Sequence, residues 1–326
     1  MSDGLLIQVN DLSRYYADIR AVHNVSFNLK KGEVLGFLGP NGAGKSSTMQ
    51  MISGNLAPSS GEIIINGIDM LEQPKQAKAS MGYLPENPPI YTDLSVDEYL
   101  SYCAKLHAVS NNKVSAAVDT ARERCGLKDT GKRVIGHLSK GYQQRVGIAQ
   151  AIIHQPNVVI LDEPTVGLDP IQIREIRKLI TQLGEEHSVI LSTHILSEVQ
   201  AICTRVQIIH QGELTFSDSI ENMNQRMHAA SLKLAFSNHP TLEELTQIDG
   251  VISAEHINTH YIRIHFDPDN TPIDRLVSNA VHKNWGLQEL TPEFATMEDI
   301  FVALTEEKTP HKTTPKTTEA LTEQAA

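Results

Sequence analysis

The sequence predicts a parallel α/β domain followed by a smaller α+β domain. Three observations carry this. The runs Val34-Leu35-Gly36-Phe37-Leu38 and Asn157-Val158-Val159-Ile160-Leu161 are almost wholly apolar, as strands covered on both faces of a parallel sheet should be. Helical periodicity alternates with short apolar runs up to about residue 217. Beyond it the order becomes β-α-β-β-α-β, that of a ferredoxin-like unit.

Residues 5–9 and 25–29 alternate apolar and polar, which predicts an antiparallel strand pair. The strand at 34–38 runs into a Gly-rich loop, and a helix is expected over 46–52. Residues 94–154 read as a mostly helical insert. There Ser95 and Glu98 have capping-box spacing, and Val114, Ala117, Val118, Ala121 and Cys125 share one helical face that Gly126 can terminate. A helix after Gly141 carries Val146, Ala149, Ile152 and Ile153 and ends before Pro156. Strands at 157–161, 188–192 and 206–210 alternate with helices at 171–183 and from 195. The second domain is expected to place strands at 232–236, 251–257, 261–266 and 287–290, with helices at 241–248, 272–282 and 297–304. The expected division is therefore 1–217, 218–305 and a tail, 306–326, whose Thr- and Pro-rich composition predicts disorder.

Composition narrows the function. The chain has 326 residues, with 28 Lys and Arg against 39 Asp and Glu, a net charge of −11. That balance disfavours a nucleic-acid partner, which needs a basic stripe. Phosphate ligands stay open, because local geometry holds them. Cys103, Cys125 and Cys203 are too scattered for a disulfide or zinc framework and read as core residues of a reduced compartment. The first nine residues lack the basic flank and apolar run of a signal peptide. No stretch reaches about 18 apolar residues, so any membrane role is expected to come through a partner.

Residues 39–46 fit G-x-x-x-x-G-K-[ST], directly between a strand and a helix. Glycines let backbone N–H groups turn toward phosphates, and the helix N-terminus adds its positive dipole end. Gly39, Pro40, Asn41, Gly42, Ala43, Gly44, Lys45, Ser46 and Ser47 are therefore expected to hold a nucleotide. Lys45 offers a point charge to the β- and γ-phosphates, and the Ser46 hydroxyl is a hard oxygen ligand for Mg²⁺. Asp162 and Glu163 end the second buried strand. Adjacent strand residues point to opposite sides, which predicts separate tasks. Asp162 would hold Mg²⁺, and Glu163 would orient and deprotonate an attacking water.

The segment Leu138-Ser139-Lys140-Gly141-Tyr142-Gln143-Gln144-Arg145, followed by Ile160-Leu161-Asp162-Glu163-Pro164, resembles the ATP-binding subunits of ABC transporters. Gly167-Leu168-Asp169-Pro170 is similar to that family's D-loop, and Ser192-Thr193-His194 to its switch-histidine segment. The resemblance covers residues 5–217. It implies a RecA-like P-loop NTPase domain that binds ATP and Mg²⁺, with His194 catalytic beside Glu163 and Lys45. Tyr15 and Tyr16 both qualify as the adenine-stacking aromatic, and the match of Leu12-Ser13-Arg14 to the family favours Tyr16. The forms Leu-Ser-Lys-Gly-Tyr and Gly82-Tyr83-Leu84-Pro85-Glu86-Asn87 resemble a subgroup serving ABC-2-type permeases, the gliding-motility and multidrug-exporter ATPases. That resemblance implies a homodimer in which Ser139 and Gly141 complete the partner's ATP site. It also implies a permease encoded separately and a location on the cytoplasmic face of the cell membrane. Glu86 stands where most of the family has Gln. A carboxylate there still ligates Mg²⁺ or a water but cannot donate a hydrogen bond.

The rival is a soluble ABC ATPase acting on a ribosome or nucleic-acid complex. One cassette, no heptads and an acidic balance disfavour it. A non-hydrolysing regulator would be expected to lack Glu163 or His194. Of the 14 histidines only His194 lies in a motif. His256 and His260 fall around an expected strand–turn–strand and read as surface residues rather than metal ligands.

Overall fold

The computed structural model describes residues 4–226, 231–267 and 270–293. The chain opens with β1 (Leu5–Tyr16) and β2 (Ile19–Lys30), antiparallel, with Ile7 opposite Leu29 and Val9 opposite Phe27. Both strands outrun the alternation that marks them, because register shifts between Val9 and Tyr15 break the period of two. Next come β3 (Val34–Leu38), α1 (Lys45–Ile52), β4 (Ser60–Ile65), β5 (Ile68–Asp69), α2 (Pro74–Ala79) and β6 (Met81–Leu84). The helical insert is α3 (Val96–Leu106), α4 (Val114–Arg124) and α5 (Lys140–Ile152). The expected capping box is present: Ser95 Oγ accepts the Glu98 N–H, and the Glu98 carboxylate accepts the Ser95 N–H at 2.8 Å. Then follow β7 (Val158–Asp162), α6 (Pro170–Gly184), β8 (Ser188–Thr193), α7 (Leu196–Ile202), β9 (Arg205–His210), β10 (Glu213–Ser219) and α8 (Ile220–Arg226).

The central sheet has the order β10-β9-β3-β8-β7-β6, parallel from β9 to β6, with β10 as an antiparallel edge. Its strands alternate between two cores. Leu35, Phe37, Val158, Ile160 and Ile190 pack with Ile7, Val9 and Leu29 under the sheet β2-β1-β4-β5. Val34, Leu38, Val159, Leu161, Val189 and Leu191 pack on the other face with the helical insert. Burial on both faces is why β3 and β7 show no polar alternation. A parallel sheet also sends the loops after β3, β6, β7 and β8 out at one edge, where ligands of open α/β sheets bind.

Gly82 in β6 lies against α5. A Cβ there would stand 1.9 Å from the carbonyl oxygen of Ala151, which is backbone and cannot swing away. Gly82→Ala should therefore force β6 from α5 and cost about 3 kcal/mol, the upper end for overpacking. Thermal unfolding checks this, and an unchanged Tm would contradict the close approach.

The remaining described elements are β11 (Ser231–Phe236), α9 (Leu242–Thr246), β12 (Val251–His256), β13 (Tyr261–Phe266), α10 (Ile273–His282) and β14 (Leu287–Glu293). They form an antiparallel sheet of order β12-β13-β11-β14. One core joins Leu232, Leu234, Ile262 and Ile264 to Leu245, Leu276 and Trp285. This is the β-α-β-β-α-β order expected. The helix expected over 297–304 and the tail at 306–326 lie outside the described residues. Among the described residues no helix is long and apolar enough to cross a membrane.

Candidate active site

A cavity of about 360 Å³ opens at the carboxyl edge of the central sheet. Asn41, Gly42, Gly44, Lys45, Ser46 and Ser47 line it from the loop between β3 and α1. Glu86 enters after β6, Glu163 after β7 and His194 after β8. Ala21 and Val166 complete the lining, and neither carried a sequence signal.

The loop folds this way for local reasons. Gly44 caps α1 at φ 105°, and a Cβ there would meet the carbonyl oxygen of Ala21 at 2.4 Å. Only glycine fits that backbone and that approach. Because glycine has no side chain to cap with, no side-chain hydrogen bond occupies the first N–H groups of α1. These unpaired donors and the positive helix end suit phosphate oxygens. Gly39, Pro40 and Ala43 serve the loop differently, since none of them lines the cavity. The carbonyls of Gly39 and Pro40 accept from Lys45 Nζ at 2.9 and 3.1 Å, and Ala43 is buried in the core.

The two carboxylates are arranged otherwise than strand alternation predicts. Asp162 is the last residue of β7, but Glu163 has already left the strand at φ 47°. That left-handed turn costs a non-glycine residue about 1–2 kcal/mol. It brings both carboxylates to the phosphate loop instead of opposite faces. Asp162 Oδ1 accepts from the Ser46 hydroxyl at 3.4 Å and from the Ser192 hydroxyl. Burial pushes the Asp162 carboxyl above its ordinary range, opposed by the hydrogen bonds from Ser192 and Ser46 and reinforced by Glu163 and Glu86. Glu163 is 5% exposed. Its Oε1 pairs with Lys45 Nζ at 3.2 Å and its Oε2 with His194 Nδ1 at 2.8 Å.

Ser46, Asp162 and Glu86 offer hydroxyl and carboxylate oxygens, the hard donor set that suits Mg²⁺. Lys45, Ser46, Glu86, Glu163 and His194 thus meet in one cavity, with Asp162 bonded to Ser46. Tyr16, Ser139 and Gly141 do not line it. Tyr16 is 42% exposed at the end of β1, with the Arg14 guanidinium 4.7 Å from its ring centre, while the Tyr15 hydroxyl faces His23 Nδ1 at 3.4 Å. Ser139 is exposed at the start of α5 and makes no side-chain cap there, so this helix end too keeps free donors. Gly141 abuts the Gln172 side chain of α6, the helix capped by Asp169. His256 and His260 are exposed, and no metal-binding group of three or more His, Cys, Asp or Glu exists among the described residues. Two further site contributors escaped sequence reasoning: the Ser192 hydroxyl and the Thr193–Glu198 contact (2.8 Å), which involves the residue just before His194. Ser192 stands in the switch segment, but only the parallel register of β7 and β8 puts it opposite Asp162.

A family model described as ABC transporter matches residues 22–166. The chain is 37% identical to the ABC transporter ATP-binding protein NatA of Bacillus subtilis, over 71% of this chain and 96% of that protein. It is 34% identical to the bacitracin transport ATP-binding protein BcrA of Bacillus licheniformis, over 80% of this chain and 83% of that one. Among solved structures, an ATP-binding subunit of an ABC transporter superposes with a TM-score of 0.61 at 30% identity, over 68% of this chain and 92% of that chain.

Proposed function

The chain belongs to the ABC transporter family as an ATP-binding, ATP-hydrolysing subunit, and from that premise we propose how its own residues perform the reaction and with what it assembles. The observation that carries the proposal is the single cavity shared by Lys45, Ser46, Glu86, Glu163 and His194. The loop N–H groups and Lys45 bind the phosphates of ATP. Ser46, Asp162 and Glu86 would hold Mg²⁺, which would offset negative charge on the phosphates. Glu163 takes the proton of the attacking water, and His194, bonded to its Oε2, fixes the direction of that carboxylate. Glu163 is engaged with Lys45 in this structure, so phosphate entry must loosen that pair before Glu163 can serve as a base. Tyr16 is proposed to stack on adenine from the tip of the β1–β2 hairpin.

Ser139 and Gly141 stand apart from the cavity, at a helix N-terminus whose donors lack a side-chain cap. We propose that they complete the ATP site of a second copy, head to tail. Signature and phosphate loop on one chain make such a pairing self-complementary. The signature and Gly82–Asn87 forms support an ABC-2-type permease as the membrane partner. The proposed place is the cytoplasmic face of the cell membrane, reached through that permease. The proposed division is an ATP-binding domain over 1–217 and an accessory domain over 218–305. α8 joins them, and its Ile220 and Met223 pack in the core on the helical-insert face of the central sheet.

Composite sites make hydrolysis depend on encounter. The ATPase rate should rise more steeply than protein concentration at low concentration. Glu163→Gln should dimerise with ATP on size exclusion, and adding Gly141→Asp should abolish that dimer. In the free chain the nearest atoms to a Cβ at 141 belong to the movable Gln172 side chain, and position 141 stands apart from the cavity, so ATP binding by Gly141→Asp should stay near wild type. A strictly linear rate up to high concentration, with no ATP-dependent dimer, would overturn the composite site.

A further inference from the structure

We propose that Ser192, at the carboxyl end of β8, is the positioning residue that aims both Asp162 and Glu163. The proposal rests on the roles given to those carboxylates above. Ser192 is wholly buried, and Asp162 is its register partner across the parallel pair β7–β8. Its hydroxyl has one proton and two lone pairs. The proton goes to Asp162 Oδ1, and a lone pair accepts the main-chain N–H of Glu163 at 3.2 Å. The Ser192 carbonyl takes the same N–H at 3.1 Å. One residue therefore orients the proposed metal ligand and pins the backbone of the proposed base.

That pinning matters because Glu163 sits at φ 47°, a conformation that surrounding contacts must hold for a non-glycine residue. The Ser192 carbonyl keeps its bond to the Glu163 N–H whatever the side chain, so the hydroxyl's own part is the second bond to that N–H and the bond to Asp162. The adjacent Thr193 hydroxyl donates to Glu198 Oε2 at 2.8 Å and accepts the Ile195 N–H at 3.0 Å. Ser46, the other donor to Asp162 Oδ1, stands at 3.4 Å and is itself a proposed metal ligand. Ser192 is thus the hydroxyl donor to Asp162 that is wholly buried and stands outside the proposed metal-ligand set. A buried hydroxyl of merely structural value would satisfy its own bonds without affecting what those carboxylates bind.

The test compares full-length wild type with Ser192→Ala and with Ser192→Cys, which keeps the shape but donates weakly. Binding of a fluorescent ATP analogue is measured with Mg²⁺ and with EDTA, alongside kcat, KM and Tm. In EDTA, affinity should stay within about twofold of wild type, because the phosphate loop is untouched. The gain in affinity on adding Mg²⁺ should shrink, and kcat should fall at least about tenfold with KM little changed. Ser192→Cys should fall between the two. If Ser192→Ala does not fold, the cysteine variant carries the same comparison. A lowered Tm with wild-type kcat and an unchanged Mg²⁺-dependent gain, in either folded variant, would overturn the proposal. Glu163→Gln, run in parallel, separates the two levels: wild-type turnover there defeats the site assignment itself. Lost turnover there with an unaffected Ser192→Ala defeats this inference alone.

Discussion

Glu163→Gln is expected to lower ATP turnover by about 10²- to 10⁴-fold, the range for loss of a general base. ATP binding should persist and even tighten. In this structure the Glu163 carboxylate holds Lys45 Nζ at 3.2 Å, so it competes with phosphate for that cation. The amide keeps the size and an acceptor oxygen but gives up the negative charge, which weakens the competitor. The measurement is steady-state phosphate release together with titration by a fluorescent ATP analogue. Wild-type turnover would remove Glu163 from the chemistry. Sharply weakened binding would show that the pair with Lys45 is not a competitor.

Lys45→Ala should weaken ATP binding by about 10- to 100-fold, since charge-assisted contacts of this kind contribute roughly 1.5–3 kcal/mol. The sequence places Lys45 at a loop–helix junction, where truncation looks harmless to the fold. The structure changes that expectation. Lys45 is 4% exposed, and it bonds the carbonyls of Gly39 and Pro40 as well as Glu163. Its removal leaves a buried carboxylate short of its cation, which typically costs about 3–5 kcal/mol. The variant should therefore also unfold at a lower temperature. Lys45→Ala combined with Glu163→Gln should recover part of that stability, because no buried charge is then stranded, while the affinity stays low. Urea unfolding of the two single variants and the double variant checks the coupling. Strict additivity would mean that the ion pair contributes nothing to the fold.

The fold was legible where one physical cause dominates. β3 and β7 are buried on both faces, so their composition alone marked them as strands of a parallel sheet. Ser95–Glu98 was legible because a capping box is local. β4, β5, α2 and β6 carried no comparable mark. They are short, and β6 holds Gly82 for a contact with α5 that lies far away in sequence. The site divides in the same way. The phosphate loop reads directly, because a glycine-dependent turn ahead of a helix is a local device.

What the sequence determined by itself is the candidate inventory of the reaction: a phosphate loop and paired carboxylates at the ends of apolar strands, with a histidine and a signature segment supplied by the family resemblance. The first two depend on residues within a few positions of one another, so local backbone chemistry suffices to mark them. What only the tertiary structure decided is how these parts face each other. Glu163 turns to φ 47° and joins Asp162 at one cavity, Lys45 is held by Glu163, and Ser192 bonds both carboxylate residues. The physical reason is the parallel sheet, which brings the carboxyl ends of β3, β6, β7 and β8 to one edge although long stretches of chain separate them. No periodicity along the chain encodes which hydroxyl will meet which carboxylate there; the register between β7 and β8 does.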